Sequence, residues 1–301
     1  MLFPKTKLIQ PMFHLQLKHI PSTHLYVSEP SPHFFGNPPN EPQNPHWDSR
    51  TSNWLQSRFH FSFAEYSNSK NLDFGTIRVM NDDFVQPDRG FGTHGHANME
   101  IVTYVVEGTL THKDSMGTEE SLGRGSVQFM TAGTGVRHSE FNLDKERGLR
   151  FIQTWILPRR RGLNPNYGSF DPSHGGTAEV CTSRNEWRHL VSDAQNAAVK
   201  TPVEIEQDAN LFVAELDRGQ SISFIANHDR MAYILCVEGT VNVSSGAYEV
   251  KMDRHDGCEV TPVASSYASS KDLVFRAGDE ASAHVLVFEM EHIQGAGRKD
   301  I

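Results

Sequence analysis

The sequence predicts an all-β protein built of two tandem antiparallel β-domains of the sandwich or barrel type. Short apolar runs of strand length, rich in β-branched and aromatic residues, are separated by turns that contain Gly, Asp and Asn. Such runs occupy residues 75–79, 101–106, 126–130 and 149–157. The sequence VEGTL at 106–110 recurs as VEGTV at 237–241, and each copy follows an apolar run and precedes a glycine, Gly125 or Gly257. A chain of 301 residues has room for two domains of roughly 150 residues each.

The repeat divides the chain into two domains with a segment on either side. We expect an extension over residues 1–50, an N-terminal domain over 51–168, a C-terminal domain over 169–294 and a tail over 295–301. The extension is predicted to be disordered or to act as a targeting segment. Its residues 30–45 are dense in Pro and Asn, which oppose both helix and central strand, and its first 28 residues contain Lys but neither Asp nor Glu.

One short helix is predicted between the two domains, over residues 184–199. Apolar residues recur there at the spacing i, i+3, i+4, i+7, which places them on one helical face: Trp187, Leu190, Val191 and Ala194. Asn185 stands where it can cap the first turn.

Charge and composition exclude several classes of function. A net charge of −9 gives no basis for direct nucleic-acid or lipid-surface binding, since either would need a basic patch. The basic run Arg159-Arg160-Arg161 is interpreted as a solvated turn. No run of about 18 apolar residues is present, so no membrane-spanning helix is expected. The three cysteines, Cys181, Cys236 and Cys258, are too few and too scattered for a disulfide framework or a thiolate metal site.

Two short clusters carry the chemistry of the chain, Thr93-His94-Gly95-His96 and Arg137-His138-Ser139-Glu140. Each offers two metal-ligand side chains at the spacing i, i+2, and residues two apart on a strand share one face, roughly 6.5–7 Å apart along the backbone. The pattern therefore predicts one metal ion bound by His94, His96, His138 and a carboxylate. Glu100 and Glu140 both have the parity that the carboxylate ligand requires, and spacing alone does not choose between them.

The second domain is predicted to lack this site. Aligned on the repeated VEGT, the ligand positions of the first domain fall opposite residues that cannot replace them: His94, His96 and Glu100 opposite Ile225, Asn227 and Met231. Two further histidines are left out of the predicted site. His112, among polar turn-forming residues, is expected at the surface, and His228 is expected at a charged hairpin tip.

Imidazoles with one carboxylate and no thiolate suit a first-row transition ion. We expect iron(II), with another divalent transition metal as the alternative. A single carboxylate leaves the site with a net charge of about +1, so an anionic oxygen ligand can bind while open positions admit dioxygen. This combination favours oxidative chemistry on an enolate or phenolate.

At these residues the chain resembles the pirin family, particularly its bacterial members described as quercetin 2,3-dioxygenases. The matching stretches are 58–66 (RFHFSFAEY), 77–82 (IRVMND), 90–108 (GFGTHGHANMEIVTYVVEG), 112–117 (HKDSMG), 125–142 (GSVQFMTAGTGVRHSEFN) and 156–167 (ILPRRRGLNPNY). A weaker likeness continues to about residue 291, and the first fifty residues lie outside it. One departure is Gly95, where many relatives have proline between the two histidines.

The resemblance implies a bicupin, in which two cupin jelly-roll β-barrels pack face to face and only the first holds metal. The family's ligands fall on His94, His96, His138 and Glu140, so the resemblance selects Glu140 and makes Glu100 a neighbour of the site. Glu140 is also the expected catalytic base, which accepts the proton of a bound hydroxyl group.

The resemblance implies a dioxygenase that opens the heterocycle of a flavonol such as quercetin with O2. Two alternatives stay open: an iron-dependent, redox-sensing co-regulator that binds a transcription factor without turnover, and a metal-holding protein related to stress. We expect a monomer in the cytoplasm or nucleus, with organelle targeting by the N-terminal extension as a further alternative.

Overall fold

The computed structural model describes residues 13–173, 184–264 and 272–292, and these residues contain strands, turns and two short 3-10 helices, Ser22–His24 and Pro32–Phe35. No α-helix occurs among them, which confirms the all-β prediction. None of their helices is long or apolar enough to cross a membrane. The predicted C-terminal tail and Cys181 lie outside the described residues.

The N-terminal domain consists of two antiparallel sheets. Its strands are β2 (Tyr26–Ser28), β3 (Leu55–Phe59), β4 (Ile77–Val85), β5 (Arg89–His96), β6 (Glu100–Glu107), β7 (Leu110–Asp114), β8 (Glu119–Leu122), β9 (Val127–Thr131), β10 (Val136–Asn142), β11 (Leu149–Ile156) and β12 (Asn166–Phe170). A seven-stranded sheet has the order β12-β9-β6-β11-β4-β3-β2, and a four-stranded sheet has the order β5-β10-β7-β8. Buried apolar residues such as Leu110, Leu149 and Phe151 form a core within this domain.

The C-terminal domain is built on one ten-stranded sheet. Its strands are β1 (Phe13–Ile20), β13 (Arg188–Asp193), β14 (Val203–Ile205), β15 (Ala209–Leu216), β16 (Ser221–Ile225), β17 (Arg230–Ser245), β18 (Tyr248–Asp253), β19 (Gly257–Ala264), β20 (Asp272–Ala277) and β21 (Ala283–Glu291). The long strand β17 pairs with β19 and β21 in its first half and with β18 and β20 in its second. It thereby folds the sheet around a second apolar core.

The repeated VEGT motif has the same role in both domains. Gly108 and Gly239 both have left-handed backbone, with φ of 77° and 73°. A Cβ at either position would overlap a backbone carbonyl oxygen, that of Gly148 or of Ser282. The repeat thus marks a turn that presses against a neighbouring chain segment, where only glycine fits without strain.

The predicted helix over 184–199 is wrong, because residues 188–193 form strand β13. Leu190 and Val191 are both buried, and β13 pairs with β15 on one side and with β14 on the other. Ala194 is exposed rather than part of an apolar face. Asn185 has φ of 64° and exchanges hydrogen bonds with Asp217, so it shapes a turn instead of capping a helix.

The prediction that residues 1–50 are disordered is wrong for residues 13–50. Strand β1 pairs with β19 of the C-terminal domain, and β2 pairs with β3 of the N-terminal domain. Phe13 and Leu15 are buried in the C-terminal core, as their alternation with polar residues allows. The segment therefore joins both domains before the first domain begins.

The two domains pack face to face through one continuous apolar cluster. Tyr233 of the C-terminal domain contacts Phe61 and Phe74 of the N-terminal domain, with ring centroids 5.3 and 5.6 Å apart. Tyr104 also crosses the interface, where its hydroxyl lies 3.1 Å from His284 Nε2.

Candidate metal centre

The pairing of β5 with β10 brings the two histidine clusters together. In this antiparallel ladder His94 lies opposite His138, and Gly95 lies opposite Arg137. The register shifts between His138 and Glu140, which indicates a β-bulge at this point of β10. The side chains at i, i+2 on both strands face the interior of the N-terminal domain, as the sequence predicts.

The three imidazoles are arranged as the ligands of one metal ion would be. Their ligand atoms all lie within 4.8 Å of one another, and Nε2 of His94 is 3.1 Å from Nε2 of His138. Ligand nitrogens at about 2.0–2.1 Å from a metal, at a right angle to each other, lie roughly 3 Å apart. The spacing between these two nitrogens therefore matches two adjacent ligands.

Hydrogen bonds leave the metal-facing nitrogens without protons. The Nδ1–H of His94 donates to the Gly92 carbonyl oxygen at 2.8 Å, so its Nε2 carries a lone pair. The Nε2 of His96 is buried and has no hydrogen-bond partner among the described residues. A buried nitrogen without a partner is costly, and a metal ion would satisfy it. The residues present fit a divalent transition metal.

Burial gives the imidazoles the neutral form that binds metal. The pKa of His96 is lowered to about 3, by burial first and then by the neighbouring His138 and His94. The pKa of His138 is also lowered to about 3, by burial first and then by His94 and His112. Neutral imidazole is the ligand form of histidine.

The expectation that His112 lies at the surface is wrong. His112 is fully buried, its Nε2 is 3.0 Å from Asp114 Oδ2, and its ring stacks on Tyr167. Strand β7 pairs with β10, so that Asp114 lies opposite His138 and His112 opposite Glu140. With its Nε2–H donated to Asp114, the Nδ1 of His112 accepts from the Nδ1–H of His138 at 3.5 Å. The alternation of Leu110, His112 and Asp114 was the sequence signal for this inward face.

Glu140 lies beside this centre and is held by two amides. Gln128 Nε2 donates to Oε1 at 3.1 Å and Gln153 Nε2 donates to Oε2 at 2.8 Å. Glu140 forms a second group of ligand atoms with His138 and His112, and His138 is common to both groups. Among the described residues, groups of three or more ligand side chains occur only in the N-terminal domain.

Glu100 belongs to neither group, although its spacing from His96 suggested it. The strand is broken between the two residues, where Asn98 has a left-handed backbone with φ of 54°. Glu100 Oε2 accepts a hydrogen bond from Thr131 at 2.8 Å, and burial raises the pKa of Glu100 to about 7. Glu100 was predicted to share a strand face with His96, and this is wrong because the strand is interrupted between them.

An apolar cavity of about 520 Å³ opens onto the centre. Two of the imidazoles, His94 and His96, reach its wall together with Glu140. Its other lining combines aromatic and aliphatic side chains with polar ones: Ser28, Pro30, Phe34, Phe35, Leu55, Ser57, Phe59, Phe63, Ala64, Glu65, Asn81, Asp83, Phe91, Gln153 and Trp155. Small-molecule sites typically enclose about 300–1,000 Å³ with such a lining.

Sequence reasoning missed two contributions to this cavity. The segment before residue 51 supplies Phe34 and Phe35, which composition alone assigned to a disordered arm. Strand β4 supplies Asn81 and Asp83 on one face, where burial raises the pKa of Asp83 to about 8. Their spacing of two residues on a strand was the available signal.

The fold and the site define a two-domain cupin with one candidate metal centre in its N-terminal domain. The family model described as Pirin matches residues 43–156, and the model described as Quercetinase C-terminal cupin domain matches residues 190–290. The quercetin 2,3-dioxygenase of Escherichia coli is 38% identical over 210 residues, which cover 69% of this chain and 83% of that protein. The pirin-like protein of Caulobacter vibrioides is 35% identical over 207 residues, 69% of this chain and 84% of that protein. The chain belongs to the pirin family, as the sequence motifs predicted.

Solved structures support the same assignment. The bacterial pirin YhhW of Escherichia coli in complex with nickel(II) is 27% identical and aligns with a TM-score of 0.71, over 92% of this chain and 100% of that one. A quercetin 2,3-dioxygenase from Acinetobacter baumannii aligns with a TM-score of 0.63 over 93% of this chain and 80% of that one. At 16% identity, that second likeness shows the fold alone. The bicupin prediction is confirmed.

Proposed function

We propose that this protein is an iron-dependent dioxygenase that opens a flavonol ring with O2, and that His94, His96, His138 and Glu140 hold the metal. The observation that carries the proposal is the aromatic cavity of about 520 Å³ that ends at two imidazoles and a carboxylate. A planar aromatic substrate suits such walls by size and polarity. Relatives at 38% identity that are named quercetin 2,3-dioxygenase point to the same substrate class.

When bound, the metal supplies positive charge for an anionic oxygen ligand and redox chemistry with dioxygen. Iron(II) is our choice because the donor set is imidazole and carboxylate without thiolate. The nickel(II) complex of a related pirin shows that such a protein also accepts another divalent ion.

The aromatic walls orient the substrate and keep water out. Trp155 lies edge-on to His96, with ring centroids 4.7 Å apart, and to Phe63 at 5.1 Å. Phe91 and Phe35 also line the cavity, and their ring centroids are 5.3 Å apart. A flavonol held between such faces can present its polar edge to Glu140, Gln153 and the imidazoles.

Glu140 is placed to accept the proton of the substrate hydroxyl group. Its carboxylate lines the cavity, and the amides of Gln128 and Gln153 stabilise its charged form. Gln153 is itself fixed, because its Oε1 accepts a hydrogen bond from Trp155 Nε1–H at 3.1 Å. The base is therefore preorganised by side chains that also shape the cavity.

The direct test is turnover. Iron-loaded protein is mixed with quercetin under oxygen, and loss of the flavonol and release of carbon monoxide are followed. We expect both from the parent and neither from Glu140→Gln, whereas exposed His24→Gln should match the parent. If the loaded parent consumes no flavonol and releases no carbon monoxide, the proposed reaction is wrong.

The ligand set is tested separately by elemental analysis of the purified protein. We expect near-stoichiometric iron in the parent, loss of iron in His94→Ala and weaker retention in Glu140→Ala. His189→Ala is the matched control, because His189 lies in the C-terminal domain, where its Nε2 is 3.0 Å from Asn210 Oδ1. Unchanged iron in both site variants would contradict the ligand assignment.

A further inference from the structure

A second cavity, of about 140 Å³, lies between the two domains. It shares no lining residue with the aromatic cavity at the metal centre. Its lining is dominated by cations: Arg50, Gln56, Arg58, Phe84, Arg150, Arg254 and His255. Strands β3, β4 and β11 of the N-terminal domain supply one side, and the turn between β18 and β19 of the C-terminal domain supplies the other.

One buried guanidinium at this cavity has a nitrogen without a hydrogen-bond partner among the described residues. Arg150 is 1% exposed, and its Nε and Nη2 donate to the two oxygens of Asp82 at 2.7 and 2.6 Å. Its Nη1 is buried and has no hydrogen-bond partner among the described residues. An unsatisfied buried donor on a charged group is costly unless a ligand or water completes it. Arg150 lines the cavity, so an anion bound there lies beside this guanidinium.

Two further guanidiniums have no carboxylate partner. Asp82 pairs with Arg150, while Asp48 and Glu107 pair with Arg50. No described carboxylate lies within ion-pair distance of Arg58 or Arg254. Arg58 donates to the neutral Gln56 Oε1 at 2.8 Å instead. Burial lowers the pKa of Arg58; the charge of Asp82 partly offsets this, and the charge of Arg150 adds to the lowering. The cavity thus holds two positive charges that no described residue neutralises by direct contact.

We infer that this cavity binds a tetrahedral oxyanion, either as free phosphate or as the phosphoryl group of a larger molecule. Guanidiniums recognise phosphate oxygens through paired N–H donors, and no described carboxylate in direct contact competes for those of Arg58 and Arg254. A water molecule needs only about 10–15 Å³ of such space, so a cavity of about 140 Å³ has room for a polyatomic ion. Arg254 is exposed at the rim, which gives the ion a way in.

The location gives the ion a structural role. Arg58 and Arg150 belong to the N-terminal domain, and Arg254 belongs to the C-terminal domain. An anion bound by all three connects the domains through its own oxygens. The inference does not depend on the dioxygenase reaction, since no residue of the metal centre takes part.

The test is isothermal titration calorimetry of the full chain at low ionic strength, with inorganic phosphate and with adenosine monophosphate as probes. We expect one site per chain, with at least tenfold weaker binding in Arg254→Gln. Arg254→Lys should be intermediate, because it keeps the charge and loses the planar pair of donors. Arg218→Gln is the matched control, an exposed arginine of the same domain that is not part of the cavity.

The two probes distinguish the source of the oxyanion. Tighter binding of phosphate assigns the site to the free ion, and tighter binding of the nucleotide assigns it to a phosphoryl group.

The measurement is repeated with the metal removed and with the metal restored. We expect the same affinity in both, because the cavity and the metal centre share no residue. Three results overturn the inference: no binding of either probe at millimolar concentration, equal affinity in Arg254→Gln and the parent, or binding that disappears with the metal. The last result would place the anion on the metal itself.

Discussion

At the scale of single residues, the metal centre depends on neighbours that set which nitrogen of each imidazole carries a proton. The chain Asp114, His112, His138 is one such arrangement: the carboxylate accepts from His112, and His112 accepts from His138. Burial opposes the charged form of Asp114, but hydrogen bonds from His112 and from the backbone amides of Thr118 and Met116 outweigh it and lower the pKa. His138 is thereby kept in the tautomer whose Nε2 faces His94.

Removing His112 should weaken the metal site without touching a predicted ligand. His112→Phe keeps a ring beside Tyr167 and removes the acceptor that orients His138. Losses of this kind typically reduce metal affinity about 10- to 100-fold. The measurement is competition for iron(II) with a chelator, and exposed His24→Phe is the control. Because the substitution also leaves Asp114 short of a partner, unfolding of the metal-free protein is measured in parallel. Unchanged iron affinity would show that His112 does not orient the site.

Asp83 should make stability depend on pH. The pKa of Asp83 is raised to about 8, and burial is the largest cause. The charges of Asp82 and Glu140 also raise this pKa, whereas the hydrogen bond from the Ser57 hydroxyl lowers it. Between about pH 4 and 8 the folded protein holds a proton that the unfolded chain has lost, so stability falls as pH rises through this range. The contribution is about 1.4 kcal/mol per pH unit at most.

The measurement is urea unfolding of the metal-free protein at pH 5 and pH 7.5, in the parent and in Asp83→Asn. The metal is removed because a nearby cation would favour the charged carboxylate. We expect the parent to lose more stability than the variant between these two pH values, whereas exposed Asp229→Asn should follow the parent. Parallel curves for the parent and Asp83→Asn would mean that Asp83 is already ionised in the folded protein.

At the scale of elements, the antiparallel pairing of β5 and β10 sets the distance between the ligands. A glycine of β5 allows the two strands to approach. A Cβ on Gly90 would overlap the Glu140 carbonyl oxygen and Phe141, whereas a Cβ on Gly95 would meet nothing closer than 3.8 Å. Gly90 and Gly95 therefore differ in how closely the neighbouring strand approaches them.

Gly90→Ala should separate β5 from β10 and displace His94. Overpacking of this kind costs about 1–3 kcal/mol. We expect a lower free energy of unfolding and weaker metal retention, measured by urea titration and elemental analysis. Gly95→Ala is the matched control on the same strand, and we expect it to behave as the parent. Equal behaviour of the two variants would show that the close approach at Gly90 is not needed to build the site.

Sequence reasoning succeeded where a pattern is local and failed where a distant neighbour decides. The i, i+2 spacing placed His94, His96 and His138 on one face, since strand alternation is a local property. Residues 184–199 were assigned to a helix because their apolar spacing fits 3.6 residues per turn, yet pairing with β14 and β15 makes β13 a strand. His112 was assigned to a turn, since nothing in the sequence shows that β7 lies against β10.

At the scale of the whole molecule, the interface between the domains has polar as well as apolar contacts. His60 of the N-terminal domain is buried, and its Nδ1 lies 2.8 Å from the hydroxyl of Tyr233 in the C-terminal domain. Burial raises the pKa of Tyr233 well above the usual value, so its hydroxyl keeps its proton and can donate to a His60 Nδ1 that carries a lone pair. His60 Nε2 has no hydrogen-bond partner within the described part of the chain. A protonated His60 would place an unpaired charge in the interface.

The interface should therefore weaken in acid. The pKa of His60 is lowered to about 4, and burial is the largest cause. The carboxylates Asp82 and Asp256 partly offset the lowering, while His255 and Arg58 contribute to it. Between about pH 6.5 and 4 the unfolded chain binds a proton that the folded protein does not, so stability is lost as pH falls through this window. Over the whole window the loss is about 3 kcal/mol.

This is measured by urea unfolding of the parent and of His60→Gln at pH 7.5 and pH 5. Glutamine cannot be protonated, and its carbonyl oxygen can still accept from Tyr233, so the variant should lose less stability on acidification than the parent. Exposed His24→Gln should follow the parent and shows that a histidine as such is not responsible. Because other buried histidines also titrate, the diagnostic quantity is the difference between the parent and His60→Gln. If that difference is the same at both pH values, His60 is not the acid-sensitive contact between the domains.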